Sequence, residues 1–258
     1  MEPYEIVLAA RAKERPTSKE YIKHIFENFV EFYGDRRFGD DKAIITGIGL
    51  LDKIPVTVIA IEKGQNTKER FERNFGSAHP EGYRKALRQA KLAEKFKRPV
   101  ICFVDTSGAY CGICAEERGQ GQAIAENLLE MMDLRVPIIS ILIGEGGSGG
   151  ALALAVADEV WMLENAFYSV ISPEGCASIL WKDASKIVEA SQSLKLTAKD
   201  LYSLGVIERI VKEDGNDFNK IYKFLRKELN DTIEKYSNLT AKNLLENRYH
   251  KFRKIGRL

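Results

Sequence analysis

Two glycine-bearing segments hold the residue types best suited to chemistry. Asp105-Thr106-Ser107-Gly108-Ala109-Tyr110 follows one apolar run, and Gly144-Glu145-Gly146-Gly147-Ser148-Gly149-Gly150 follows another. Glycine admits positive φ and close approach of a ligand to the main chain, and the start of a helix leaves N–H groups without internal partners. Free amides at such a point suit an oxygen that gains negative charge during a reaction. The second segment also matches G-x-G-x-x-G between a strand and a helix, so a dinucleotide site has to be weighed. A nucleotide fold normally carries that motif on its first strand. Here at least three β-like runs precede it, and no acidic residue follows at the ribose position. Glycines that merely let a helix pack closely on a sheet are the alternative for either segment alone. Two such segments on successive apolar runs weigh against it.

Three further groups invite a chemical reading. Cys111-Gly112-Ile113-Cys114 has the spacing of a redox pair or of half a zinc site, yet it supplies only two ligands. Cys102 and Cys176 form no second pair and His24, His79 and His250 are scattered, which favours small-residue packing and no metal site. His79, in the loop before a helix, either faces a ligand or is simply solvated. Lys63, Lys68, Arg70 and Arg73 form a basic stretch suited to phosphate or carboxylate groups, or to solvent. Trp161 and Trp181 are expected in the core or at a subunit interface.

The elements that must position these residues follow from periodicity. Val100–Val104 and Ile138–Ile143 are apolar on both faces, as buried parallel strands are, with Glu116–Met132 as the helical crossover between them. Tyr83, Ala86, Leu87, Ala90, Ala93 and Phe96 recur at helical steps over Glu81–Lys97, ahead of Pro99. Ala43–Leu51 and Val56–Glu62, separated by Asp52-Lys53-Ile54-Pro55, read as a hairpin, preceded by a Gly34–Asp41 loop. Tyr21, Ile22, Ile25, Phe26, Phe29, Val30 and Phe32 share one broad helical face that something must cover, which suggests oligomerisation. After Gly150 come a small-residue helix over Ala151–Ala157, short runs at Val160–Leu163 and Tyr168–Ile171, and a helix starting near Pro173. A capped helix then starts at Thr197 and stops at Gly205. The organisation expected is one α/β domain: a helical segment over 1–40, a core over 41–212 and a helical extension over 213–258.

With 258 residues, 45% of them hydrophobic, the chain can bury a substantial core. Its net charge of +2 is too small to argue for nucleic acid or membrane binding over the whole surface. Only Arg248–Arg257, with Lys251, Arg253 and Lys254, is locally basic, as a solvated tail helix or a docking surface for an acidic partner. The first residues do not read as an export signal, no long apolar span occurs, and four cysteines fit a reducing cytoplasm.

Four stretches together are more specific than any single glycine motif: Arg73–Arg88 (RNFGSAHPEGYRKALR), Asp105–Gln120 (DTSGAYCGICAEERGQ), Gly144–Leu152 (GEGGSGGAL) and Ser172–Ser185 (SPEGCASILWKDAS). They resemble the carboxyltransferase alpha-subunit family of multi-subunit acetyl-CoA carboxylase, from about Glu2 to Val211. The common family pattern has proline at the positions of Ser107 and Cys111 and glycine at that of Cys114, and the front of this chain is shorter, so turn rigidity is expected to differ. The resemblance implies a crotonase-type α/β spiral of repeated β-β-α units with helical extensions at both termini. It implies transfer of a carboxyl group from carboxybiotin, presented by the biotin carboxyl carrier protein, to acetyl-CoA, giving malonyl-CoA, the first committed step of fatty acid biosynthesis. A zinc-containing beta subunit would complete an alpha2beta2 assembly, with biotin carboxylase as the ATP-using member of the full complex. The backbone amides of Gly108, Ala109, Gly146 and Gly147 would face the biotin ureido oxygen. Tyr110, Lys63, Arg73 and His79 are the candidate substrate contacts.

Overall fold

The chain is described by a computed structural model over residues 1–213, 215 and 217–256. Its centre is a mixed sheet of β1 (Glu27–Phe32), β2 (Ile44–Leu51), β3 (Ile54–Ile61), β4 (Val100–Thr106), β5 (Ile138–Gly147), β6 (Glu159–Leu163), β7 (Phe167–Ser169) and β8 (Arg209–Val211). The order across the sheet is β1-β2-β3-β4-β5-β6-β8, with β7 pairing the far end of β5. β1, β2 and β3 are antiparallel neighbours, and the pairings from β3 through β8 are parallel. β4 is buried along its whole length, as a strand covered on both faces must be.

The helices are α1 (Pro3–Ala10), α2 (Ser18–Ile25), α3 (Thr67–Glu72), α4 (Pro80–Lys95), α5 (Ile113–Glu116), α6 (Gln120–Met132), α7 (Ser148–Ala155), α8 (Pro173–Cys176), α9 (Ile187–Ser193), α10 (Ala198–Ser203), α11 (Phe218–Ser237) and α12 (Ala241–Lys254). The expected hairpin is present with a tighter turn. Leu51 pairs with Ile54, leaving Asp52 and Lys53 at the corner and Asp52 at φ +53°. The crossover helix is interrupted at Gly119, whose φ of +80° separates α5 from α6. Thr197 caps α10 by accepting from the Asp200 amide, and Gly205, at φ +68°, follows its end. Trp161 is fully buried, whereas Trp181 is partly exposed.

The first forty residues are not uniformly helical. α2 ends at Ile25, Phe26 is extended, and Glu27–Phe32 forms the edge strand β1. The physical reason lies across the sheet, at two glycines of β2. A Cβ at Gly47 would fall 2.4 Å from the Phe29 ring, and one at Gly49 would fall 3.1 Å from Phe26 Cβ. Missing side chains thus make room for the aromatics that the helical reading placed on one face. Tyr21 and Ile25 are buried inside the chain, and Tyr21 packs edge-on against Tyr222 of α11, so the chain covers this face itself. Val30 is exposed on the strand.

The basic C-terminal stretch is only in part a solvated face: Arg253 and Lys254 are exposed, whereas Arg248 and Lys251 turn inward. Arg248 is buried, paired with Asp158 at 2.8 Å, and donates to the carbonyls of Met131, Met132, Leu134 and Val136. Lys251 reaches Glu208 at 2.7 Å. Arg257 lies outside the described residues. At the opposite side, Asp35 folds the loop before β2: its Oδ1 accepts from the amides of Arg37, Phe38 and Gly39, and Oδ2 takes Arg84 of α4 at 2.8 Å.

Two stability predictions follow from these buried charges. Arg248→Met strands the Asp158 carboxylate and should cost about 3–5 kcal/mol in urea unfolding. Burial alone would raise the Asp35 pKa, but three amides and Arg84 outweigh it and hold the group at about 2 instead of 3.8. A depressed carboxylate stabilises the fold above its unfolded value and stops doing so as pH falls through the folded one. The Asp35 share, about 2 kcal/mol, should therefore be mostly lost from the difference between wild type and Asp35→Asn at pH 2 and present at pH 6.

Candidate active site

The two glycine segments meet at the C-terminal ends of β4 and β5. A Cβ on Gly147 would lie 2.1 Å from the Ser107 carbonyl oxygen, and one on Gly150 would lie 2.5 Å from the Ala109 nitrogen. Side chains at these positions would drive the two main chains apart, so contact between them requires glycine. Gly108 has φ +148°, in the region that favours glycine, with open space where a Cβ would point.

The four predicted oxyanion donors are not equivalent. The Gly108 amide is already committed, donating to Thr106 Oγ1 at 3.0 Å. Gly146 lies inside the ladder, opposite Thr106 on one side and Tyr168 on the other. β5 continues to Gly147, and α7 begins only at Ser148, so the second segment is a strand end and helix start without a free loop between them. The amides heading α7 that the helix cannot satisfy internally therefore belong to Ser148, Gly149 and Gly150, while Gly147 is still paired with Ser169 in the ladder. The Ala109 amide donates to no backbone acceptor among the described residues. Ser148 takes φ +48°, a conformation costly for a residue with a side chain at the first position of a helix.

Of the candidate substrate contacts, three gather here. Lys63 Nζ sits 2.8 Å from Asp105 Oδ2 at the end of β4. His79 is not simply solvated: its ring stacks on Tyr110 at 4.1 Å, and its Nδ1 is 3.1 Å from Asn74 Nδ2. The Tyr110 amide donates to Ala78, and its carbonyl accepts from Gln120, so the stack buttresses the first segment from both sides. Arg73 is engaged elsewhere, donating to the Lys42 carbonyl.

Sequence reasoning did not assign roles to Asp105, Glu145, Arg11 or Glu174. Asp105 is buried and accepts from the Glu145 amide at 2.9 Å. Arg11, from α1, holds Glu145 at 2.9 Å and Glu174 at 2.6 Å. A carboxylate ending a wholly apolar strand was a readable signal for Asp105, whereas the Arg11 contacts join residues far apart in the chain and left none. Cys111 and Cys114 are exposed free thiols, and burial pushes Cys102 up to about 12, which keeps it a thiol. Among the described residues no group of three or more His, Cys, Asp and Glu could hold a metal ion, and no helix is long and apolar enough to cross a membrane. Beside Ser148 and Gly149 lies a cavity of about 400 Å³, walled by Leu152, Val170, Leu194 and Phe252.

A spiral of β-β-α units whose strand ends offer unpaired amides beside an apolar cavity is the arrangement of a crotonase-type acyl or carboxyl transfer enzyme. A hexameric transcarboxylase 12S structure with methylmalonyl-coenzyme A bound superposes with a TM-score of 0.73 at 18% identity, over 87% of this chain and 42% of that one. The profile of the family described as acetyl co-enzyme A carboxylase carboxyltransferase-like matches residues 1–256. The acetyl-coenzyme A carboxylase carboxyl transferase subunit alpha of Ruminiclostridium cellulolyticum is 70% identical over 99% of this chain and 98% of its own length. In Clostridium tetani a protein named for subunits beta/alpha is 57% identical over 96% of this chain and 44% of its own length. The chain belongs to the acetyl-CoA carboxylase carboxyltransferase alpha-subunit family.

The glycine contacts separate two effects. Gly147→Ala pushes a Cβ into a backbone carbonyl and should lower both the unfolding midpoint and carboxyl transfer. Gly108→Ala meets no atom but leaves the turn strained by about 1–3 kcal/mol, and should impair transfer more than it lowers the midpoint. Thermal unfolding and transfer assays on the same preparations check this.

Proposed function

We propose that the chain works with a beta subunit, as an alpha2beta2 assembly in the cytoplasm, to move a carboxyl group from biotin on its carrier protein to acetyl-CoA, with malonyl-CoA as product. Residues 41–212 carry the chemistry in this reading, and 1–40 and 213–258 support them. The observation that carries it is the grouping of the Ala109 amide on one strand end with the Ser148 and Gly149 amides that head α7 on the other, beside an apolar cavity.

These features fit a biotin ring, which needs hydrogen-bond donors at one polar edge and an apolar surface for the rest. When bound, carboxybiotin supplies the carboxyl group and, once this has left, a basic ring nitrogen. The chain's own part is then electrostatic: its fixed N–H dipoles stabilise negative charge on an oxygen placed between the strand ends, without reorganising during the reaction. Gly147 and Gly150, by lacking side chains, let the two strand ends close on each other, and Gly108 has open space where a Cβ would point. The Lys63 ammonium adds positive charge nearby, and the His79–Tyr110 stack keeps the Ala109 amide from drifting. No acid or base side chain is required of this chain, because the group being deprotonated and the base both belong to the bound partners. The beta subunit would supply most of the acetyl-CoA site, and a relative in which beta and alpha are joined is in keeping with the two working together.

The test is malonyl-CoA consumption with free biotin as acceptor. This chain alone should be inactive and the mixture with its cognate beta subunit active. Turnover of an acyl-CoA by the lone chain would replace this reading with a self-sufficient crotonase-type hydratase or decarboxylase.

A further inference from the structure

The ladder between β4 and β5 is regular up to Val104, which pairs with Leu142. It then slips: Thr106 pairs with Gly146, so a single residue, Asp105, faces the three residues from Ile143 to Glu145. A bulge of this kind leaves an amide without a backbone acceptor and re-aims the strand beyond it. Here the Asp105 side chain fills the gap. Its Oδ1 accepts from the Glu145 amide at 2.9 Å, and its carboxylate takes the Lys63 ammonium at 2.8 Å and 3.0 Å. The fit depends on glycine on two sides. A Cβ on Gly144 would lie 2.4 Å from Asp105 Oδ1, and one on Gly76 would lie 2.9 Å from the Asp105 carbonyl oxygen. Gly76 ends a run of three left-handed residues, with Asn74 at φ +47° and Phe75 at φ +55°, that brings this loop onto the end of β4.

Three chain segments therefore converge on one buried carboxylate: the exit of β3 through Lys63, the left-handed loop through Gly76, and the end of β5 through Gly144 and Glu145. The start of α7, with the Ser148 and Gly149 amides, lies immediately downstream of the bulge, and the Ala109 amide of the other strand end follows four residues after Asp105 itself. We propose that Asp105 is a positioning residue for carboxyl transfer. Its carboxylate fixes the bulge that aims the start of α7 at the Ser107–Ala109 segment and anchors the Lys63 ammonium beside it. Asp105 touches no reacting group; it acts through Glu145 and Lys63. This inference rests on the functional reading above.

Asp105→Asn keeps the shape and one acceptor but removes the charge. Assayed in the assembled mixture with the beta subunit, it should lower kcat for malonyl-CoA consumption by about tenfold or more and shift KM by less than about threefold. Lys63→Met should show the same split, and the double variant should be hardly slower than either single one, because the two side chains act as a unit. Amide hydrogen exchange gives an independent readout. Asp105→Ala should accelerate exchange over residues 143–147 and leave β2 unchanged. A kcat within twofold of wild type for Asp105→Asn, multiplicative losses in the double variant, or unaltered exchange in Asp105→Ala would each overturn the assignment. Should Asp105→Ala fail to fold, the split in Asp105→Asn decides. An inactive wild-type mixture would instead defeat the functional reading, and the exchange measurement would still judge the role of Asp105 in setting the strand end.

Discussion

Everything at the candidate site depends on two main chains touching. Backbone can approach backbone this closely only where side chains are absent, and Gly147 against Ser107 and Gly150 against Ala109 meet that condition. The parallel pairing of β4 with β5 brings the two strand ends to the same edge of the sheet, and the start of α7 then contributes amides that helix geometry cannot satisfy internally. The site is thus a by-product of sheet topology refined by a few missing Cβ atoms. Its electrostatics come from peptide dipoles, which are rigid because the strands that carry them are buried.

Such a site needs fastening, since unpaired amides and left-handed residues are individually unfavourable. Asp105 ties β4 to β5 and to Lys63, the His79–Tyr110 stack supports the first segment, and Arg11 reaches from α1 to hold Glu145 and Glu174. Each uses charge or aromatic contact to offset local strain, and each draws on a different part of the chain.

The sheet was largely legible from sequence because its strands are apolar on both faces and its hairpin has a short polar corner. The site was legible as glycine segments, but not in which amide is free. Gly108 looked like a donor until Thr106 was seen to occupy it, and Gly146 looked like a turn residue although the ladder extends past it. Hydrogen-bond partners two residues away and the exact end of a strand leave no periodic trace. The misreading of 26–32 as helix had a different source. Phe26, Phe29, Val30 and Phe32 have helical spacing in one dimension, and only the absent side chains of Gly47 and Gly49 on the neighbouring strand reveal that Phe26 and Phe29 lie over a sheet. Arg248 was misread for a related reason: a basic cluster near a chain end resembles a solvated face, while its partner Asp158 lies ninety residues earlier.

That last contact bears on how the centre of the fold is held shut. Asp158 and four backbone carbonyls between Met131 and Val136 share a single cation, Arg248 of α12. Without Arg248 the carbonyls lose this shared donor and the Asp158 carboxylate keeps the Ile138 amide at 2.8 Å as a partner but has lost its cation. That corner of the core is closed by α12. Helix α12 is therefore less an appendage than a bolt, since one of its side chains passes into the interior and joins two strand entries that share no other cation among the described residues.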